Sequence, residues 1–202
     1  MLDLPRRDFG ELVLGEKLPR RGGRLLRGIG RFYLKLTGWK IEGDVPNVSK
    51  IVIIAAPHTS NWDFVVGMAV VLALGLRLYW LGKHTIFQGP LAPLMYWLGG
   101  IPINRQATQG AVKQVVTEFQ NRSHFLLAIA PEGTRQRVPE WKTGFYYIAQ
   151  AAQVPILPAT INYHRKAIQI YPAFTPSGSL ETDLPILKSY YSQEMGKKPN
   201  QF

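Results

Sequence analysis

Four short segments carry the side chains that can do chemistry. In Ala56-Pro57-His58-Thr59-Ser60-Asn61-Trp62-Asp63, an imidazole stands five residues ahead of a carboxylate. If the chain folds back between them, the carboxylate accepts from one ring nitrogen and fixes the tautomer, leaving the other nitrogen as a general base. Thr59, Ser60 and Asn61 are also good N-cap residues, so the same run reads equally as a helix start preceded by an ordinary loop histidine. Ser60 is the competing nucleophile of the cluster. In Ala130-Pro131-Glu132-Gly133-Thr134-Arg135, a carboxylate and a guanidinium flank a glycine that either admits a ligand close to the backbone or simply makes a turn. Gly99-Gly100-Ile101-Pro102-Ile103-Asn104-Arg105 ends a short apolar run in a cation, which taken alone is a solvated strand end. Val154-Pro155-Ile156-Leu157-Pro158 brackets two apolar residues with prolines that cannot donate to a sheet ladder, which suggests a strand start or an edge.

These segments need a scaffold, and the pattern from Lys50 onward supplies one. Residues 51–56 read as a buried strand, 62–75 as a helix, 77–81 as a strand, 91–98 as a short helix and 101–104 as a strand. An amphipathic helix over 110–121, a buried strand over 125–130, a helix over 144–152 and strands over 156–162 and 167–171 follow. This alternation predicts one α/β domain, its central sheet mostly parallel or mixed and flanked by helices. The first two chemical segments each follow a buried strand, and ligands of open α/β sheets bind at the carboxyl ends of strands.

Ahead of this domain, residues 1–40 read as a basic amphipathic arm, with residues 41–202 as the domain proper. Lys17, Arg20, Arg21, Arg24, Arg27, Arg31, Lys35 and Lys40 follow one another there with no acid between them. Arg20, Arg24, Arg27, Arg31 and Lys35 recur at helical spacing beside Leu25, Ile29, Phe32, Tyr33 and Leu36. Either the apolar stripe packs on the domain and the cations are solvated, or the helix inserts into an anionic bilayer interface. Gly28 and Gly30 each weaken such a helix by about 1 kcal/mol relative to Ala.

Composition narrows the chemistry further. Lys and Arg number 24 against 13 Asp and Glu, a net charge of +11, so negatively charged partners are expected. The absence of cysteine excludes disulfides, thiolate metal sites and a covalent cysteine intermediate. His58, His84, His124 and His164 lie far apart without ligand spacing, so no metal is expected. Residues 64–76 are free of charge but fall short of the about 20 residues a spanning helix needs, and Arg77 follows them. With no secretory signal pattern at the start, a peripheral protein on the cytoplasmic side of a membrane is the expectation.

In this order and spacing the four segments resemble the blocks of the glycerolipid acyltransferase family, which includes the lysophosphatidic acid acyltransferases. His58 with Asp63, then Arg105, then Glu132 to Arg135, then Val154 to Pro158 carry the resemblance. It implies transfer of a fatty acyl group from an acyl-CoA or acyl-carrier-protein thioester to a hydroxyl of a lysophospholipid or glycerol phosphate. No cofactor beyond the thioester co-substrate is implied. His58 is then the general base and Asp63 orients it, while amides at the start of the next helix are the natural donors to the oxyanion. Arg105 and Arg135 bind the acceptor phosphate, Glu132 orients one of them or a glycerol hydroxyl, and Gly133 and Thr134 complete the substrate-binding block. Lys83 and Lys142 are weaker candidates. Pro57 stands where many members have Asn, and Trp62 places a large ring before Asp63, departures that bear on the acceptor. Partners follow from the same resemblance: thioester donor, lipid acceptor, an anionic membrane surface and acyl carrier protein. The competing readings are an inactive lipid-binding relative and a basic nucleic-acid-binding protein.

Overall fold

A computed structural model describes residues 4–103 and 108–202. In chain order its elements are β1 (Arg6–Arg7), α1 (Arg24–Leu36), β2 (Lys40–Glu42), β3 (Lys50–Ala55), α2 (Asn61–Leu74), β4 (Leu78–Lys83), α3 (Ala92–Trp97) and β5 (Gly100–Ile103). Then come α4 (Thr108–Asn121), β6 (Phe125–Ile129), α5 (Gly144–Ala152), β7 (Ile156–Asn162), β8 (Ala167–Ile170) and α6 (Leu180–Lys188). The strands form one mixed sheet of order β1-β2-β8-β7-β3-β6-β4-β5. From β7 to β5 all pairings are parallel; β8 runs antiparallel to β7, β2 parallel to β8, and β1 antiparallel to β2.

Both faces of the sheet are covered, as the near-continuous apolar central strands require. Val52 and Ile54 of β3 and Phe125 and Leu127 of β6 pack with Phe119, Phe145 and Tyr146 on one side. Ile51 and Leu126 point the other way, toward Val66, Ala69 and Ala73 of α2. Of the two expectations for the proline-bracketed segment, a strand start holds at Pro155, directly before β7, whereas Pro158 lies inside β7 between β3 and β8 and at no edge. Pro158 faces Tyr171, whose N donates to the Pro158 carbonyl at 3.0 Å; the reciprocal bond is the one proline cannot make, and the β7–β8 ladder stops there at Ala159↔Ile170.

The basic segment packs as part of the domain. Phe9, Leu18 and Leu34 are buried in the α2-side core, and β1 and β2 extend the sheet. Helix α1 forms where its periodicity places it but docks by a different face. Gly30 and Leu34 are its buried residues, whereas Leu25, Ile29, Phe32 and Leu36 are 77%, 52%, 69% and 73% exposed. The inward cations serve the carboxyl end of α2: Arg31 Nε donates to Ala73 O at 3.2 Å and Arg20 Nη1 to Leu74 O at 3.4 Å, where the helix dipole is negative.

The α1–α2 contact is a backbone contact. A Cβ on Gly30 would stand 2.5 Å from Ala73 N and 2.7 Å from Ala69 O, whereas one on Gly28 meets nothing within 4 Å. Gly28→Ala is therefore expected to stabilise the protein by up to about 1 kcal/mol through helix propensity. Gly30→Ala is expected to cost about 1–3 kcal/mol by forcing the helices apart. Urea-unfolding midpoints check both, and equal shifts of one sign would contradict the close packing.

Candidate active site

Three neighbouring parallel strands, β6, β3 and β7, end at one rim of the sheet, and the segment after each supplies one part of the site. After β3 the chain passes a cis Ala56-Pro57 bond and enters α2 through Ser60 as N-cap. Ser60 Oγ accepts from Trp62 N at 3.2 Å, and Asp63, at the N3 position, reaches back to Ser60 N at 2.8 Å, closing a capping box. The same Asp63 Oδ2 accepts from Thr59 N at 2.8 Å and lies 3.1 Å from His58 Nδ1. Helix cap and His–Asp pair are thus one structure built on one carboxylate. Asp63 is buried and His58 partly exposed, so the pair has a sheltered anchor and an accessible ring.

Two further groups hold this turn from the flanking strands. Tyr163, directly after β7, donates its hydroxyl to Asp63 Oδ1 at 2.8 Å. Burial, then the charge of Asp63 and the hydrogen bond to it, push this phenol well up, so it stays a protonated donor. Glu132, after β6, accepts from His58 N through Oε1 at 2.9 Å. Its bonded partner is the His58 main chain, and among the described residues it forms no ion pair with Arg135. Its Oε2 is buried without a hydrogen-bond partner. Burial raises this carboxyl, and the His58 N–H only partly offsets it.

His58 and Asp63 line a cavity of about 1550 Å³ with Gly133, Thr134 and Arg135. Lys83 and Lys142 line it too, and Met68 and Leu74 mark its apolar run along α2. Gly133 adopts φ +65°, which favours glycine, and its absent side chain leaves room for the Lys142 stem. Arg135 is exposed and has no carboxylate partner among the described residues. Arg105 lies outside the described residues; β5, which leads toward it, ends at Ile103 on the cavity wall. Of the amides expected to face an oxyanion, Thr59 N and Ser60 N are held by Asp63 and Trp62 N by Ser60 Oγ, whereas Asn61 N, the first amide of α2, is not among them, and Asn61 lines the cavity. Sequence reasoning missed Tyr163, Lys198 and Gln201; only the first has a local sign, an aromatic residue at the carboxyl end of a buried strand.

A His–Asp pair, cations and an apolar cavity thus meet at the carboxyl ends of the sheet strands, where ligands of open α/β sheets bind. The Acyltransferase family profile matches residues 39–162, and the chain belongs to that family. It is 31% identical over 137 residues to 1-acyl-sn-glycerol-3-phosphate acyltransferase of Escherichia coli (strain K12), covering 63% of this chain and 54% of that protein. It is 30% identical over 155 residues to human 1-acyl-sn-glycerol-3-phosphate acyltransferase beta, covering 67% of this chain and 55% of that protein. The matched stretch thus spans about half the length of these curated relatives. The crystal structure of the 1-acyl-sn-glycerophosphate (LPA) acyltransferase PlsC from Thermotoga maritima shares the fold, with a TM-score of 0.58 and 19% identity over 83% of this chain and 75% of that one.

Because folding raises the Glu132 carboxyl, the wild type loses stability as pH climbs from the ordinary carboxylate range toward that raised value. Glu132→Gln keeps an acceptor for His58 N–H and removes the titration. The thermal midpoint of the variant relative to wild type is expected to rise from about pH 4 to about pH 8. A difference independent of pH would refute the raised value.

Proposed function

We propose that this protein transfers a fatty acyl group from a thioester to a free hydroxyl of a 1-acylglycerol-3-phosphate-type acceptor. The observation that carries the reading is the Asp63-bound imidazole of His58 at a large apolar cavity whose rim also holds Arg135. With Nδ1 on Asp63, His58 Nε2 takes the proton of the acceptor hydroxyl as that oxygen attacks the thioester carbonyl. Asp63 stabilises the imidazolium that forms, the C–S bond breaks, and the thiolate leaves with a proton returned through His58. No acyl-enzyme is needed, because the acceptor hydroxyl itself attacks the thioester, and Ser60 Oγ serves as the helix cap on Trp62 N. Asn61 N at the helix start, with Lys83, Lys142 and Arg135 on the cavity wall, supplies the donors that can meet negative charge. Arg135 takes the acceptor phosphate by paired charge-assisted bonds, with Arg105 as its partner by family resemblance. The cavity exceeds the roughly 300–1,000 Å³ usual for small ligands, which suits an acyl chain. Coenzyme A and acyl-carrier protein both fit as thioester carriers.

The acceptor's home is a bilayer, and α1 supports docking there. Leu25, Ile29, Phe32 and Leu36 form one exposed stripe, with Arg24 and Lys35 beside it, the pattern of an interfacial helix on anionic lipid. Apolar exposure on the basic helix favours lipid over nucleic acid as its partner. Among the described residues no helix is long and apolar enough to cross a membrane.

His58→Ala is expected to lower transfer by about 10²–10⁴-fold with the fold intact. Arg135→Ala is expected to raise KM for the acceptor by roughly tenfold or more, as loss of a charged hydrogen bond implies, with little change for the thioester. Assays with palmitoyl-CoA and 1-acylglycerol-3-phosphate, following thiol release and product mass, check both; wild-type turnover by His58→Ala would end the assignment. Removing residues 1–40 would strip Leu34 and Leu18 from the core, so membrane docking is tested by substitution. Leu25→Ser with Phe32→Ser is expected to abolish sedimentation with phosphatidylglycerol vesicles while the thermal midpoint holds, and undiminished binding would refute the docking face.

A further inference from the structure

The chain beyond α6 folds back over the outside of the candidate site, and the matched family region ends well before it, at residue 162. Tyr191 anchors the returning segment: its hydroxyl donates to Ile54 O at 2.9 Å and accepts from Ala159 N at 3.2 Å, at the level where β3 and β7 end. Met195 O then accepts from Tyr163 N at 2.9 Å. Gly196 lies flat against Thr59, where a Cβ would stand 3.0 Å from Thr59 Cγ2 and 3.1 Å from Oγ1. Lys198 N donates to Thr59 Oγ1 at 3.2 Å. With its amide nitrogen turned toward them, Gln201 donates to two carbonyls at once, Thr59 O and Arg135 O, each at 2.8 Å. Phe202 closes the segment against Trp141, their rings 6.5 Å apart.

Thr59 is the residue after His58 and is 2% exposed, so its neighbours hold it from every side. Its N–H goes to Asp63, its hydroxyl oxygen receives Lys198, and its carbonyl receives Gln201. The Gln201 amide is the more telling contact, because one planar group spans the turn that carries His58 and the loop that carries Arg135. Those two loops belong to different strands, β3 and β6, and beyond the strand ends they are joined by Glu132 Oε1 on His58 N inside and by Gln201 from outside.

We infer that residues 196–202 are a strap that sets the distance between His58 and Arg135, and so selects which nucleophile meets the thioester. This rests on the proposed acyl transfer. With the strap in place, a phosphate held by Arg135 puts the acceptor hydroxyl on His58. The hydroxyl proton goes to His58, the new C–O bond forms, the C–S bond breaks and the thiol departs. With the strap loose, the acceptor is misaligned, and water attacks the same carbonyl to give fatty acid and thiol. Gln201 is a positioning residue in this account and touches no substrate.

The test uses full-length Gln201→Ala and Gln201→Glu with palmitoyl-CoA and 1-acylglycerol-3-phosphate in detergent micelles, following thiol release, acylated product and free palmitate. Gln201→Ala is expected to lower transfer by about tenfold or more, since small misplacement costs rate steeply. The ester formed per thiol released falls, and KM for palmitoyl-CoA does not move. Gln201→Glu goes further, because an ionised carboxylate has no proton to give either carbonyl. Hydrogen exchange of peptides covering 57–63 and 131–136 rises together in both variants, while peptides of β6 and α5 keep their protection. An unchanged ester-to-thiol ratio in both variants, or exchange that rises in only one loop, overturns the strap. If wild type forms no ester with this or any other lysolipid, the proposed function falls with the selection role, and the exchange data still decide whether the strap couples the loops.

Discussion

The site depends on keeping one buried carboxylate satisfied. An ionised carboxylate out of water is costly unless it is surrounded by donors, and Asp63 collects them from Thr59 N, Ser60 N, His58 Nδ1 and the Tyr163 hydroxyl. Two of those donors are main-chain amides just ahead of α2, so the chain must wrap around the carboxylate before the helix can begin. The wrap places His58 two residues before the N-cap Ser60, which is why the imidazole sits five positions ahead of its partner. The N3 carboxylate of an ordinary helix start and the acid that holds the His58 ring are therefore the same group. Everything else at this rim is arranged around that turn: β3 delivers it, β7 supplies the phenol on one side, and β6 supplies the carboxyl that holds His58 N–H on the other.

The cationic excess divides in a similar way between structure and surface. Arg20 and Arg31 face the carbonyls that end α2, and Arg165 and Arg6 lie on Glu42, a buried acid that also accepts from Gln169. These cations offset buried or dipolar negative charge within the fold. What remains outward, Arg24 and Lys35 beside the exposed stripe of α1, is the part an anionic surface can meet. Net charge alone cannot separate these two populations, because the difference lies in which helix face is turned inward.

This is also where the sequence stopped being informative. Strands and helices from 50 to 171 were legible because their periodicities and lengths are local properties. The docking face of α1 was not, because the hydrophobic pattern points to Leu25, Ile29, Phe32 and Leu36, whereas the contact is made where Gly30 lets two backbones meet. A glycine read only for its propensity looks like a defect; its use depends on Ala69 and Ala73, which arrive from another helix. The pairing of β2 with β8 joins segments more than a hundred residues apart, and no local signal announces a three-residue strand. The site shows the same limit: His58 and Asp63 lie within one turn of chain and were legible by spacing, while Tyr163 reaches Asp63 only through sheet order.

The division between legible and hidden residues has a chemical counterpart. His58, Asp63, Glu132 and Arg135 fall within the stretch shared with the family, residues 39–162. The groups that grip them from outside lie past it, Tyr163 on Asp63 immediately after and Lys198 with Gln201 on Thr59 much farther along the chain. A general base can be common to many enzymes because every acceptor hydroxyl presents it with the same proton. The distance from that base to an anion-binding arginine cannot be common to acceptors of different shape. The contacts that set this distance act on two main-chain carbonyls, which any residue offers, and on the Thr59 hydroxyl, which only a hydroxyl-bearing side chain can replace. In this chain the His–Asp pair lies within the shared stretch, while the outer tie between its turn and the Arg135 loop comes from residues 196–202, so the two can change independently.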